Sequence, residues 1–333
     1  MTTRASIGRA WRLGAACCAL AGCGLGVQSA PSSSSAAPSA ISTGPQLGYL
    51  WNTADSSLRP ILGVPGASQV GQPVTASGLY VTGAASARSS IALLQESDGS
   101  LDTMSLPSGA VQRIGGATAP TNSQIVLSPS GQTAILFAPG AATLTLITGL
   151  NTMPQPQTLA TPGSLVSAAV SDTAQVAAVS GSGQLSVALL TGNKNSIASL
   201  SGLGFLGFLP GSDDLLVADS STSTVTLIRH SSTAPAPQAF TSSNIQSPIA
   251  VAASQDGQWA IVANSADQSV VRLDLTGATA PLRIACACQP SQLAAFDGNA
   301  VFRLTAPGAG PTWLVDASAS TPQTLFIPAV LKP

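Results

Sequence analysis

Charged residues are scarce in this sequence. They make up 8% of its 333 residues, against about 25% in an average soluble domain, so uncharged polar side chains must cover most of the surface. There is a single histidine, His230, which excludes a two-histidine metal site and a histidine relay; we expect it in a solvated turn. Hydrophobic residues make up 44%, enough for a sizeable core, which excludes disorder driven by charge.

Basic residues are also few, and three of the twelve precede Leu13: Arg4, Arg9 and Arg12. The rest of the chain has nine basic and thirteen acidic residues, a formal net charge of −4. No basic cluster remains that could neutralise a run of phosphates, so we expect no nucleic-acid partner. No later segment has about 18 consecutive apolar residues, so we expect no membrane-spanning helix in the body of the chain.

The amino terminus has the pattern of an export signal. After the three arginines comes an uncharged stretch at 13–22, which has the length of a signal-peptide core and is too short to span a bilayer. The sequence Leu20-Ala21-Gly22-Cys23 resembles the bacterial lipobox at all four positions. The resemblance implies cleavage before Cys23, diacylglyceryl transfer to its thiol and fatty acylation, for example with palmitate, of the new amino group. The alternative is an ordinary secretory signal with an incidental cysteine.

These features predict three segments: a lipoprotein signal peptide at 1–22, a lipidated tether at 23–45 and a folded domain at 46–333. The tether is rich in Ser, Pro and Ala and has no charge, which is typical of a flexible linker. Two or three acyl chains would anchor the protein stably. Gly24 stands where some bacteria use Asp to retain a lipoprotein on the inner membrane, which favours the outer membrane of the cell envelope.

A repeat of short strands fills the region from residue 46 onward. Five copies align at the residue that opens the second strand: Gln132, Gln175, Asp214, Gln258 and Asn299. Weaker copies begin near Arg88 and Gln46. Four strands every 40 to 45 residues is the period of a β-propeller blade. We therefore predict an all-β fold, a β-propeller of four-stranded blades with seven blades, while six or eight blades, a β-sandwich or a solenoid stay open.

Two copies of this repeat resemble the YVTN-type repeat of bacterial propellers. The best matches, all in one copy, are Ser254–Gly257, Val262–Asn264 and Leu273-Asp274; other copies lose the Asn and the terminal Asp. The resemblance implies the propeller fold, and it implies no particular activity, because propellers host unrelated functions. The first copy shows only two clear strands, so we expect ring closure to combine strands from both ends of the chain.

The residue clusters that could carry chemistry have simpler explanations. Asp213 and Asp214 are adjacent carboxylates, but they occupy the turn position that Asp256 and Asp297 hold in other copies, where Asp supplies turn hydrogen bonds. No acidic loop is dense enough for calcium. We therefore predict no catalytic residue, no metal ligand and no cofactor.

Cys286 and Cys288 are the two thiols left once the signal is removed and Cys23 is acylated. Exported thiols tend to pair. Residues two apart in a strand are about 6.6 Å apart, near the limit of about 6.8 Å for a disulfide, so a Cys286–Cys288 bridge requires a bend, which Pro290 favours. A packed pair, or a metal or redox role, is the alternative.

Three functional classes remain: a non-catalytic binding or scaffold module, a propeller enzyme such as a lactonase-like hydrolase or quinoprotein-like dehydrogenase, and a structural envelope protein. We favour a monomeric, membrane-anchored module with an envelope protein or glycan as partner. Its candidate binding loops join the second and third strands or link blades: 52–57, 219–224, 264–269, 288–292 and 306–311. Convergence of Asp55, Asp219, Asp267 and Arg303 in one deep pocket would instead favour an enzyme.

Overall fold

The computed structural model describes residues 44–75, 79–181, 183–192, 195–306 and 310–329. These residues form 27 β-strands arranged in seven antiparallel sheets, and they include no helix. Accordingly, no described segment is a helix of the length and apolarity that crossing a bilayer requires. The predicted seven-bladed β-propeller is confirmed.

Six of the sheets are four-stranded blades whose strands pair in chain order. Blades 2 and 3 comprise β4 (Tyr80–Ala85), β5 (Ile91–Glu96), β6 (Ser100–Ser105), β7 (Val111–Thr118), β8 (Gln124–Leu127), β9 (Ala134–Phe137), β10 (Thr143–Thr148) and β11 (Gln155–Ala160). Blades 4 and 5 comprise β12 (Ser164–Val170), β13 (Val176–Gly181), β14 (Leu185–Leu189), β15 (Ser196–Leu200), β16 (Gly204–Phe208), β17 (Leu215–Asp219), β18 (Thr224–Arg229) and β19 (Ala236–Thr241). Blades 6 and 7 comprise β20 (Pro248–Ala253), β21 (Trp259–Asn264), β22 (Ser269–Asp274), β23 (Leu282–Ala285), β24 (Ala294–Ala295), β25 (Val301–Arg303), β26 (Thr312–Asp316) and β27 (Gln323–Ile327).

Blade 1 has three described strands, β1 (Gln46–Asn52), β2 (Ser57–Val64) and β3 (Ala67–Val70). They correspond to the second, third and fourth strands of the other blades. β3 contacts β27, the last strand of blade 7, just as β23 contacts β27. The hydrogen bond from Gly63 N to Pro45 O also matches the one from Leu275 N to Gln258 O, which in blade 6 joins the end of the third strand to the start of the second.

The hydrophobic core lies between neighbouring blades. Each strand alternates its side chains between the two faces of its sheet, and in this chain both faces are apolar. In blade 5, for example, Leu216 and Ala218 pack against blade 6, while Leu215 and Val217 pack against blade 4. Burying one such large aliphatic side chain contributes about 1.5–3 kcal/mol, so each blade stabilises the next.

The ring closes by packing of blade 7 on blade 1. Phe296 and Val301 of blade 7 belong to one buried cluster with Leu47 and Leu50 of blade 1. The N–H of Asp297 also donates to the carbonyl of Leu47 across this junction. The described strands of each blade are consecutive in the chain, and blade 1 has three of them. The expectation that closure combines strands from both ends of the chain therefore stays a prediction.

The connections between the first and second strands, called here the inner turns, are joined from blade to blade. Asp172 of blade 4 accepts hydrogen bonds from Ser130 N of blade 3 and Gly211 N of blade 5. In the same way Asp256 N of blade 6 donates to the amide oxygen of Asn299 of blade 7. Asp and Asn therefore do more in these turns than the predicted local turn bonding, because they also fix neighbouring blades to each other.

Candidate binding face

Three of the predicted loops, 52–57, 219–224 and 264–269, have the same backbone conformation. Each joins the second strand of its blade to the third. At the equivalent position each has one residue with positive φ: Ser56 at 50°, Ser223 at 51° and Gln268 at 53°. Such values are uncommon outside tight turns. Equivalent turns of a propeller lie at the same end of the ring, so these loops belong to one face.

The carboxylates in the loops of blades 1 and 6 are neutralised in the same way. Asp55 accepts a hydrogen bond of 2.6 Å from Ser57 Oγ and forms an ion pair with Arg59. Asp267 accepts one of 2.6 Å from Ser269 Oγ and pairs with Arg283 at 2.7 Å. Burial alone would raise the pKa of both carboxyl groups, but these hydrogen bonds and the guanidinium groups lower the pKa of each. Both are therefore ionised and paired at neutral pH.

Asp219 fixes the 219–224 loop of blade 5 to the connection between blades 4 and 5. Its carboxylate accepts hydrogen bonds from the backbone N–H groups of Ser201, Ser221 and Thr222 at 2.8, 3.0 and 3.3 Å. Burial raises the pKa of this group, and the three donors outweigh that effect and lower it. Asn264 is the equivalent residue of blade 6, where it accepts from Gln246 N. These side chains fix the loops rather than face a ligand.

Convergence of Asp55, Asp219, Asp267 and Arg303 would favour an enzyme, but the side chains of these four residues do not contact one another. Asp55, Asp219 and Asp267 are each held by groups of their own or the preceding blade, as described above. The side chain of Arg303 forms no hydrogen bond or ion pair with any described residue, and its Nε is buried without a partner. Burial lowers the pKa of Arg303 to about 10. The isolation of this guanidinium was not expected from the sequence.

His230 lies in an exposed turn, near Asp213 and Asp214. The potential ligand atoms of these three residues lie within 4.8 Å of one another. Both carboxylates already have partners: Asp214 accepts from the backbone N–H of His230 at 2.8 Å and from Arg229 Nη1 at 3.3 Å, and Asp213 accepts from Ser232 N at 3.2 Å. The arrangement is that of a turn, in keeping with the sequence interpretation.

Cys286 and Cys288 are joined by a disulfide, with their Cα atoms 5.0 Å apart. Both side chains are buried between blades 6 and 7. They follow the end of β23, so the chain bends there and brings the two Cα atoms closer than extended geometry would. That these thiols are paired in the protein in its cell remains a prediction. The predicted lipidation site Cys23, with the predicted signal peptide and most of the predicted tether, lies outside the described residues.

Two surface cavities contain few charged groups. The larger, about 550 Å³, lies where blade 1 meets the end of β27 and is lined by uncharged residues. The smaller, about 230 Å³, lies between blades 1 and 2, and Arg88 is the one charged residue in its lining. Neither cavity brings a carboxylate together with a second titratable group, which general acid–base catalysis requires.

Comparison with known proteins supports the fold and no closer relationship. No protein-family model and no curated protein matches the sequence. Among solved structures, a protein of unknown function from Desulfotomaculum acetoxidans matches with a TM-score of 0.63 and 11% identity, covering 85% of this chain and 95% of that one. Virginiamycin B lyase from Staphylococcus aureus matches with a TM-score of 0.53 and 12% identity, covering 73% and 82%.

A third similar structure is Hsv2 from Kluyveromyces lactis, with a TM-score of 0.53 and 10% identity over 85% of this chain and 98% of that one. At these identities the likeness concerns the fold alone, and the matched proteins differ in what they do. The chain is thus a seven-bladed β-propeller whose activity has to be argued from its own residues.

Proposed function

We propose that this protein is a non-catalytic binding module of the bacterial cell envelope, anchored through lipid on Cys23. The observation that carries the proposal is the pairing of its carboxylates. Asp55 and Asp267 are bound to Arg59 and Arg283, and Asp219 is bound to three backbone N–H groups. A general acid or base must be able to exchange its proton with a substrate, and these groups are engaged in holding loops.

The partner that suits the loop face is a neutral molecule rich in hydroxyl groups, and we propose an envelope glycan. The exposed loop tips are small or polar: Thr53 and Ala54 in blade 1, Ser221 and Thr222 in blade 5, and Gln268 in blade 6. Because the carboxylates of Asp55 and Asp267 are paired with arginines, the loops of blades 1 and 6 have little net charge with which to attract an ionic partner. Several weak hydrogen bonds from neighbouring blades can add up on such a surface.

The proposal is tested with a neutral sugar polymer, a tetramer of N-acetylglucosamine, immobilised on a biosensor. We expect the detergent-solubilised full-length protein to bind it reversibly. The same tetramer, incubated with the protein in solution and weighed by mass spectrometry, should be recovered unchanged. Shorter sugars, with the added mass of water after hydrolysis or without it after elimination, would support an enzyme instead. Absence of binding would contradict the proposed partner.

A further inference from the structure

Arg303 differs from every other described arginine. Four of the seven form ion pairs, namely Arg59, Arg113, Arg229 and Arg283. Arg272 stacks on the Trp259 ring at 4.5 Å and donates to two carbonyl groups, and Arg88 donates to the carbonyl of Pro129. Arg303 has no such contact with the described residues, although its Nε is buried.

The side chain of Arg303 lies on the face of blade 7 that meets blade 1. Ala300, Phe302 and Leu304 pack toward blade 6, so the alternation of strand residues directs Val301 and Arg303 to the opposite side. Val301 packs there with Leu47 and Leu50 of blade 1. Arg303 thus lies on the same face as the buried, apolar Val301, and burial lowers the pKa of Arg303 to about 10. Arg303 remains partly exposed, so small molecules can reach it.

No acidic side chain of the chain is available to neutralise this charge. All thirteen acidic residues lie in the described segments, and each accepts a hydrogen bond from a group other than Arg303. They are Asp55, Glu96, Asp98, Asp102, Asp172, Asp213, Asp214, Asp219, Asp256, Asp267, Asp274, Asp297 and Asp316. A partly buried guanidinium without a counter-charge is destabilising, so an anion from outside would be bound with a gain in free energy.

We propose that Arg303 binds the carboxylate of a small organic acid between blades 7 and 1. The planar guanidinium presents paired N–H donors that match the two oxygens of a carboxylate. A monoanion cancels the single positive charge, whereas a phosphate dianion would leave a net negative charge among aliphatic side chains. Because the aliphatic residues of this face, Val301, Leu47 and Leu50, are themselves buried, we expect the acid to have a short hydrocarbon body. The site is argued independently of the loop face, so either proposal can fail without the other.

Sodium butyrate is the probe, titrated into the full-length protein at constant ionic strength with sodium chloride as the balancing salt. A ligand that binds the folded state raises the melting temperature in a saturable way. We expect a rise of at least about 2 °C for the native protein and none for Arg303→Met. The matched control Arg283→Met, which removes an exposed loop arginine, should keep the full response. Absence of a saturable rise, or an equal rise in Arg303→Met, would overturn the site.

A second measurement tests whether Arg303 already has a partner inside the protein. Without butyrate, Arg303→Met should melt at a higher temperature than the native chain, because methionine fills similar space and carries no charge. Inorganic phosphate at matched ionic strength should raise the native melting temperature less than butyrate does. An equal or lower melting temperature for Arg303→Met would mean that the guanidinium is satisfied internally, and the proposal would then be wrong.

Discussion

The carboxylate of Asp172 in blade 4 accepts a hydrogen bond from the backbone N–H of Ser130 in blade 3, 2.7 Å away. Its second oxygen accepts one from Gly211 N in blade 5, at 2.9 Å. One side chain therefore joins three consecutive blades at their inner turns. Hydrogen bonds to a charged acceptor are worth about 1.5–3 kcal/mol each, so this residue contributes to the cohesion of the ring.

We predict that Asp172→Ala lowers the free energy of unfolding by about 2–4 kcal/mol, because two backbone N–H groups lose a charged acceptor. Urea denaturation followed by tryptophan fluorescence measures the change. Asp316→Ala is the control, since among the described residues the Asp316 carboxylate bonds only to Ser318 in its own turn. An equal loss in both variants would show that the links between blades add nothing beyond ordinary turn bonding.

The contribution of Asp172 should also depend on pH. Burial acts to raise the pKa of this carboxyl group, but the donors Gly211 N and Ser130 N outweigh it and hold the pKa below the ordinary value of 3.8. A carboxyl group whose pKa is lower in the folded state contributes its full stabilisation of the fold at pH values above its unfolded pKa. This contribution is lost as the pH falls from the unfolded pKa through the folded pKa. The difference in stability between the native chain and Asp172→Ala should be full at pH 7 and shrink below about pH 4. A difference that is constant down to pH 2 would contradict this.

The repeat period was sufficient to predict seven blades and the positions of their turns. Strands of four to eight residues and the turns between them are determined by neighbouring residues, so they can be recognised in the sequence. The blade-to-blade role of Asp172 could not be predicted, because in sequence it is indistinguishable from the turn residue Asp213. Arg303 was singled out only as one of four polar residues that could converge. The Arg303 side chain lacks a partner because of the face of β25 that it occupies and because every carboxylate is bonded elsewhere. Both facts can be learned only from the three-dimensional structure.

Lipidation is tested by replacing Cys23 with serine. The thiol is the acceptor of the diacylglyceryl group that the lipobox resemblance implies, and stable anchoring needs more than one acyl chain. Cys23→Ser should therefore lose labelling by radioactive palmitate and leave the detergent phase in a phase-separation assay. Cys286→Ser keeps the lipobox and serves as the control. Unchanged partitioning of the Cys23 variant would mean that the membrane anchor is a different one.

The redox state of Cys286 and Cys288 can be read from intact mass. Alkylation of the protein purified from the envelope should add no mass without reductant, and two adducts at these residues after reduction, because exported thiols at this separation pair. Two adducts without reductant would show a pair of free buried thiols.

The loop face can be blocked without disturbing the bonds that hold it. Ala54 and Ala266 occupy equivalent exposed positions in the loops of blades 1 and 6, so arginine at both adds bulk and charge where the partner would rest. Met153 lies exposed in the turn after β10, between the third and fourth strands of blade 3, and so at the opposite end of that blade's third strand. Met153→Arg is therefore a control for placing an exposed arginine on the opposite face.

The most direct test of the binding role is the affinity of these variants for the N-acetylglucosamine tetramer, measured on one biosensor surface. The proposed loop face predicts at least about tenfold weaker binding for the Ala54→Arg, Ala266→Arg double variant, a loss of about 1.4 kcal/mol, with Met153→Arg equal to the native protein. Equal affinity for the double variant and the native protein, with both folded to the same melting temperature, would contradict the account.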